Sequence, residues 1–152
     1  MMELLSPAGS MEAVAAAVQN GADAVYFGYG DFNARRGAKN FTREEAAAAV
    51  SYCRLRGCKV NLTLNTLLTD RELPGAAELA AHASGIGVDA VIVQDLGAVR
   101  MLRQSVPDLP IHGSTQMTVH SLDGVKLCAD LGMTRVVLGR ELSRDQIAYI
   151  CQ

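Results

Sequence analysis

Asn20-Gly-Ala-Asp-Ala-Val-Tyr-Phe27, Gly87-Val-Asp-Ala-Val-Ile-Val93 and Gly132-Met-Thr-Arg-Val-Val-Leu138 state one phrase three times: a helix end, a glycine, then a short apolar run. Glycine closes helices because it enters the left-handed region at no steric cost, and a short continuous apolar run marks a strand covered on both faces. Each phrase is a helix C-cap feeding a buried parallel strand. The chain therefore reads as a succession of βα units.

Working outward, strands are expected at about 2–6, 23–28, 58–64, 88–94, 110–114 and 134–139. Helices are expected at about 10–20, 42–56, 73–84, 96–105 and 121–131, with a final helix capped by Ser143 and Gln146. Ser10 and Thr42 are N-cap residues, Thr42 and Glu45 form a capping box, and Gly21 and Gly57 stand where C-cap glycines belong. Pro74 falls near a first helical turn, Pro107 closes the fourth helix, and Pro107 and Pro110 bracket a tight connection.

Each helix carries one apolar stripe, such as Met11, Val14, Ala15 and Val18, or Ala46, Ala49, Val50 and Cys53. One stripe means one buried face, packed on a parallel sheet. No Gly-x-Gly-x-x-Gly follows the first strand, which favours a barrel over a dinucleotide-binding sheet. The expected fold is α/β, an incomplete TIM-like (β/α) barrel of about six units of roughly 25 residues on a parallel sheet. Residues 1–152 then form a single partial-barrel domain, short of the last two units of a closed barrel of about 250 residues.

An apolar fraction of 49% with 20% charged residues suits one globular domain, and a net charge of -2 gives no whole-surface field for nucleic acid or membrane. Any polyanion site has to be a local patch. No apolar run approaches the roughly 20 residues of a membrane helix, and no basic leader precedes Glu3-Leu4-Leu5, so a cytoplasmic protein without membrane partners is expected. Cys53, Cys58, Cys128 and Cys151 lack zinc-finger spacing and are read as buried, reduced thiols. A Cys53–Cys58 disulfide or metal clip is the minor alternative.

A barrel carries its chemistry at the C-terminal ends of its strands. On the third strand Val60, Leu62 and Leu64 alternate with Asn61, Thr63 and Asn65, so one face meets helices and the other sends amides and a hydroxyl into the lumen. The fifth repeats this with His112, Ser114 and Gln116, the fourth ends in Gln94 and Asp95, and the sixth ends in Arg140 and Glu141. Asp95, Ser114, Gln116 and Glu141 are the candidate catalytic residues. Asn61, Asn65, His112 and Arg140 are candidate substrate contacts, joined by Arg35, Arg36 and Lys39 of the glycine-rich loop 28–40. Guanidinium forks suit phosphate, and Tyr29 and Phe32 of the same loop are candidates to stack on a base. Capping and loop hydrogen bonding are the competing explanation for each strand-end residue, and a solvated basic loop for the cations. A Ser/His/Asp constellation can be drawn from Ser114, His112 and Asp95, but no nucleophile elbow or His-Glu-x-x-His pattern accompanies it. Asp95, His112 and Glu141 alone make a poor metal set, and no metal is assigned.

The runs Met2-Glu-Leu-Leu-Ser-Pro-Ala-Gly9, Gly21-Ala-Asp-Ala-Val-Tyr-Phe-Gly28, Phe32-Asn-Ala-Arg35, Leu62-Thr-Leu-Asn65, Val91-Ile-Val-Gln-Asp95, His112-Gly-Ser-Thr-Gln116 and Val137-Leu-Gly-Arg-Glu-Leu142 resemble the N-terminal half of the collagenase-like peptidase family U thirty-two. Leu62 to Leu67 and Val93-Gln-Asp-Leu96 resemble its ribosomal RNA hydroxylation branch. The resemblance implies hydroxylation of pyrimidines in ribosomal or transfer RNA, with peptide hydrolysis as the alternative. It also implies an iron–sulfur cluster on cysteines that lie downstream in hydroxylation-type members, which none of the four cysteines here matches. This stretch alone is thus expected to hold no cofactor and to be inactive by itself. A third alternative is a non-catalytic module whose open sheet edges pair with another copy.

Overall fold

The computed structural model describes residues 2–34 and 40–152. Six strands, β1 (Leu5–Pro7), β2 (Ala24–Phe27), β3 (Lys59–Leu64), β4 (Ala90–Val93), β5 (Ile111–Gly113) and β6 (Arg135–Val136), form one parallel sheet in chain order. They alternate with α1 (Met11–Gln19), α2 (Arg43–Arg54), α3 (Leu73–Ile86), α4 (Leu96–Ser105), α5 (Leu122–Asp130) and α6 (Arg144–Ile150). The sheet curls into a half-barrel: Leu5 on the first strand and Val137 and Leu138 beyond the last line the same cavity. At the other end Glu3 reaches across to Arg135, with one contact at 3.2 Å and a second, shorter one.

The repeated phrase has a physical explanation in the even-numbered strands. Two residues after its glycine stands Asp23, Asp89 or Thr134, and the backbone amide of each donates to the preceding strand or the residue just before it, at Leu4, Val60 and Ile111. Asp23 and Asp89 then accept the Leu4 and Val60 amides on their carboxylates, each at 2.7 Å. An aspartate thus sets register at the start of two of the three pairings. The preceding glycine carbonyl is tied down too: Arg54 donates to the Gly87 carbonyl at 2.9 Å and Arg103 to that of Gly132. A cation is favourable there because a helix C-terminus carries partial negative charge. Gly87 sits at φ +84°, where a side chain would be strained.

The caps expected at Ser10, Thr42 and Ser143 are present, each accepting an amide from the first turn of its helix, and Thr42–Glu45 and Ser143–Gln146 close full capping boxes. Asp95 and Ser121 cap their helices in the same way. Val25, Val60, Leu62, Leu64, Val91, Val93 and Ile111 are buried between sheet and helices, against Ala46, Ala49, Val50 and Cys53 of α2 and Ala76, Ala80 and Ala83 of α3. Alanine on that face lets the helix axis approach the sheet closely.

Three expectations need correction. The sixth strand is two residues long rather than 134–139: its continuation makes one more bond to the end of β5, Val137 N to the Gly113 carbonyl, and then bonds to the loop beyond, Gly139 N to the Val119 carbonyl. The fifth stops at Gly113, where Ser114 caps a single 3-10 turn over Thr115–Met117. Cys53, Cys58 and Cys128 are buried, but Cys151 is exposed just past the end of α6, which packs mainly on α5. All four are free thiols, and burial, then neighbouring Cys58, pushes the Cys53 thiol up to about 12. No described helix is long and apolar enough to cross a membrane.

Candidate functional site

A cavity of about 710 Å³ opens at the C-terminal ends of the strands, within the range of small-molecule sites. Its floor and sides are apolar or aromatic, from Leu5, Tyr26, Phe27, Phe41, Ile92 and Leu138. Its polar groups are amides and hydroxyls: Asn33, Asn40, Thr63, Asn65, Ser114, Thr115 and Gln116.

The polar wall is assembled from three strand ends. β3 turns Thr63 and Asn65 inward by its alternation. Gly28, just past β2, makes room for Asn33: a Cβ at Gly28 would lie 2.5 Å from the Asn33 amide carbon and 2.8 Å from Thr63 Oγ1. Asn33, only 2% exposed, donates to the Gly30 carbonyl at 3.0 Å. Asn65 joins the loops on either side, accepting the Ala34 amide on Oδ1 at 3.1 Å and donating from Nδ2 to Gln116 Oε1 at 2.8 Å. Gln116 Oε1 also accepts from Ser114 Oγ at 3.4 Å, and Ser114 Oγ accepts the Gln116 amide at 3.2 Å. The 3-10 turn after β5 is what carries Gln116 over the strand end to meet Asn65.

Of the residues singled out from sequence, the structure brings Asn65, Ser114, Gln116 and Arg140 to the cavity. Asp95, Asn61, His112 and Glu141 stand outside its lining. Asp95 is an N-cap: Oδ1 accepts from Ala98 N at 2.9 Å and Oδ2 from Leu68 N at 3.4 Å. Asn61 is buried outside the cavity lining, in register with Tyr26 and Ala90. His112 pairs in register with Ile92 and Arg135 and is likewise outside the lining. Burial, then Arg135, pushes its imidazole down to about 4, so it is neutral near pH 7. Glu141 is exposed and meets His120 Nε2 at 3.0 Å. Arg35, Arg36 and Lys39 lie outside the described residues, though Ala34 and Asn40, which flank them, line the cavity.

The expected stacking aromatics are otherwise engaged. Tyr29 is 2% exposed; its hydroxyl donates to the Leu79 carbonyl at 3.1 Å and accepts from His82 Nδ1 at 2.7 Å. Burial pushes that phenol up to about 12. Phe32 packs against Gly75 of α3. Both rings therefore anchor the loop to α3, and neither lines the cavity. Asn33, Asn40, Thr115 and the wall of Tyr26 and Phe27 were not singled out from sequence. Only the run Phe32-Asn-Ala-Arg35, quoted for its resemblance, pointed at Asn33.

The cavity's chemistry follows from what lines it. Tyr26 and Arg140 are the only ionisable side chains among the described lining residues, which include no histidine, cysteine, lysine or carboxylate. Such a wall presents donors and acceptors to a neutral, planar, polar molecule. Among the described lining residues no base stands beside Ser114 to make that hydroxyl a nucleophile. An iron–sulfur cluster does not fit the described residues: three cysteines are buried, the fourth is exposed, and no three His, Cys, Asp or Glu side chains converge.

The pattern of peptidase family U32 matches residues 9–152. A 23S ribosomal RNA 5-hydroxycytidine synthase of Escherichia coli is 41% identical over 151 residues, 99% of this chain and 22% of that protein. A tRNA hydroxylation protein of Bacillus subtilis is 34% identical over 145 residues, 95% of this chain and 34% of its own length. Among solved structures, a U32 peptidase superposes with a TM-score of 0.81 at 18% identity, over 99% of this chain and 64% of the other. The chain thus spans about a fifth to a third of the length of these curated relatives.

Proposed function

The chain belongs to peptidase family U32, and we propose that its cavity binds a pyrimidine base of ribosomal or transfer RNA for hydroxylation. The observation that carries this reading is the uncharged wall of Asn33, Asn65, Ser114 and Gln116 above an apolar floor. Carboxamides offer both donor and acceptor in one plane, which is what the edge of a pyrimidine requires, and an apolar floor accepts its faces. A flipped base leaves its phosphates outside the pocket, where Arg35, Arg36 and Lys39 are the candidate contacts by their place in sequence next to Ala34 and Asn40. Replacing a ring C–H by C–OH is a two-electron oxidation, and the residues here bind and orient the base without supplying the oxidant. The relatives' names support RNA as the substrate class, and an RNA substrate carries a cytoplasmic location with it.

Proteolysis is the weaker reading, because the described lining pairs no nucleophile with a base. The test is nucleoside mass spectrometry of ribosomal and transfer RNA with the full-length gene intact, deleted, and restored with Asn65→Ala or Gln116→Ala. Deletion should remove one hydroxylated pyrimidine, and neither variant should restore it. An unchanged profile on deletion would turn the search to peptide substrates.

A further inference from the structure

Two loops that leave neighbouring strands meet beside the cavity. Residues 114–120 follow β5 and residues 137–141 follow β6, and three contacts stitch them together. Thr115 Oγ1 donates to the Leu138 carbonyl at 3.3 Å, Gly139 N donates to the Val119 carbonyl at 2.9 Å, and His120 Nε2 meets Glu141 Oε2 at 3.0 Å. The other ring nitrogen, Nδ1, lies 2.7 Å from the Thr118 carbonyl. The ring thus bridges the Thr118 carbonyl and the Glu141 carboxylate.

Two further features mark this junction as built. Thr118 is the one described non-glycine residue at positive φ, +58°, a region a β-branched residue occupies only when its surroundings hold it there. Gly139 is glycine for space: a Cβ would stand 2.6 Å from His120 Nε2 and 2.9 Å from Glu141 Oε2. Its absence lets ring and carboxylate close over the backbone.

Between Gly139 and Glu141 stands Arg140, the only cation among the described residues lining the cavity. Glu141 is held below the usual carboxylate range by its own backbone amide, then by His120, with a smaller contribution from Arg140. Resting on the base-binding reading above, the geometry points to His120 and Glu141 as positioning residues that present Arg140 to the phosphodiester of a bound nucleotide. A guanidinium fork matches phosphate oxygens, but on a loose loop it would spend its binding energy on ordering. The clamp fixes the backbone on both sides of Arg140 before the ligand arrives.

Titration calorimetry with cytidine and with cytidine 5′-methylphosphate, which carries one negative charge, reads the anion contribution as a ratio of affinities. The diester should bind roughly fivefold more tightly, the scale of one part-exposed charged contact. Arg140→Gln should bring the ratio to about one. Gly139→Ala and Glu141→Ala should bring it close to that value, whereas Glu141→Gln, which removes the charge but keeps an acceptor for His120, should retain it. Equal affinities in the native protein, or a ratio indifferent to Gly139→Ala and Glu141→Ala, would overturn the inference. If neither nucleoside probe binds, the base-binding reading fails by itself, and dimethyl phosphate becomes the probe. A shift of the Arg140 side-chain resonance that Glu141→Ala abolishes would keep the anion site, and no shift would end it.

Discussion

At the N-terminal ends of the strands Glu3, Lys59 and Arg135 form a charged cluster, while at the C-terminal ends Asn33, Asn65, Ser114 and Gln116 form a neutral one. The first joins the two edges of the curled sheet, since Glu3 precedes β1 and Arg135 opens β6. The second joins three loops around a cavity. Charge at the floor holds shape at modest cost because its members remain part-exposed and paired. Amides at the mouth keep donors and acceptors without imposing a field, so they can read a neutral ligand. In a barrel the floor answers to stability and the mouth to chemistry, and the residue types here divide along that line.

The sharpest way to break this division is at the mouth. Asn65→Ala combined with Gln116→Ala should lower cytidine affinity by roughly a hundredfold, as each removes a hydrogen-bonding group worth about tenfold. The thermal midpoint should move by only a few degrees, since both side chains are at the surface of the cavity. If the midpoint collapsed while binding survived, the amides would be scaffold and the division false.

The floor should respond in the opposite sense. His112 is held neutral with its pKa lowered to about 4, so the unfolded chain binds a proton that the folded one refuses between about pH 6.5 and 4. Stability should therefore fall as pH drops through that window, by about 2 kcal/mol once part-exposure is allowed for, and level off below it. His112→Gln should flatten this arm in denaturant titrations run as a pH series; an undiminished slope would assign it to other groups. Glu3, whose carboxyl is lowered chiefly by its hydrogen bond to Arg135, contributes in the same direction at lower pH. Its stabilisation is present above the ordinary carboxylate range and lost as pH falls through the lowered value. Glu3→Ala should cost about 1 kcal/mol at neutral pH and leave cytidine affinity alone.

How much of this was legible in the sequence depended on the range of the interaction. Thr42 and Glu45 form their box three residues apart, and the Gly-x-Asp phrase carries its own cap and strand, so the barrel could be read from local pattern. Tyr29 looked available because its partners, Leu79 and His82, are fifty or more residues away. Asp95 looked like a strand-end acid, yet a carboxylate three residues before the Ala98 amide is equally an N-cap, and nothing local separates the two. Asn33 was hidden for a subtler reason: its burial is permitted by an absent side chain at Gly28. Gln116 was placed on a strand face, but it reaches Asn65 from a 3-10 turn, whose left-handed end at Thr118 has no sequence mark.

The smallest expected effect probes the border of the mouth. Arg35 follows Ala34, whose amide binds Asn65, so a phosphate contact there would sit one residue from the cavity wall in sequence. A single phosphate contact changes affinity modestly at one salt concentration but alters the slope of log affinity against log salt by about one. In the full-length protein, Arg35→Ala should reduce that slope for RNA by about this amount and leave affinity for free cytidine unchanged. An identical slope would leave phosphate recognition to Arg140 of the cavity lining. A loss of cytidine binding would instead show that the loop's cations shape the cavity itself, and the contrast between a charged floor and a neutral mouth would have to be redrawn.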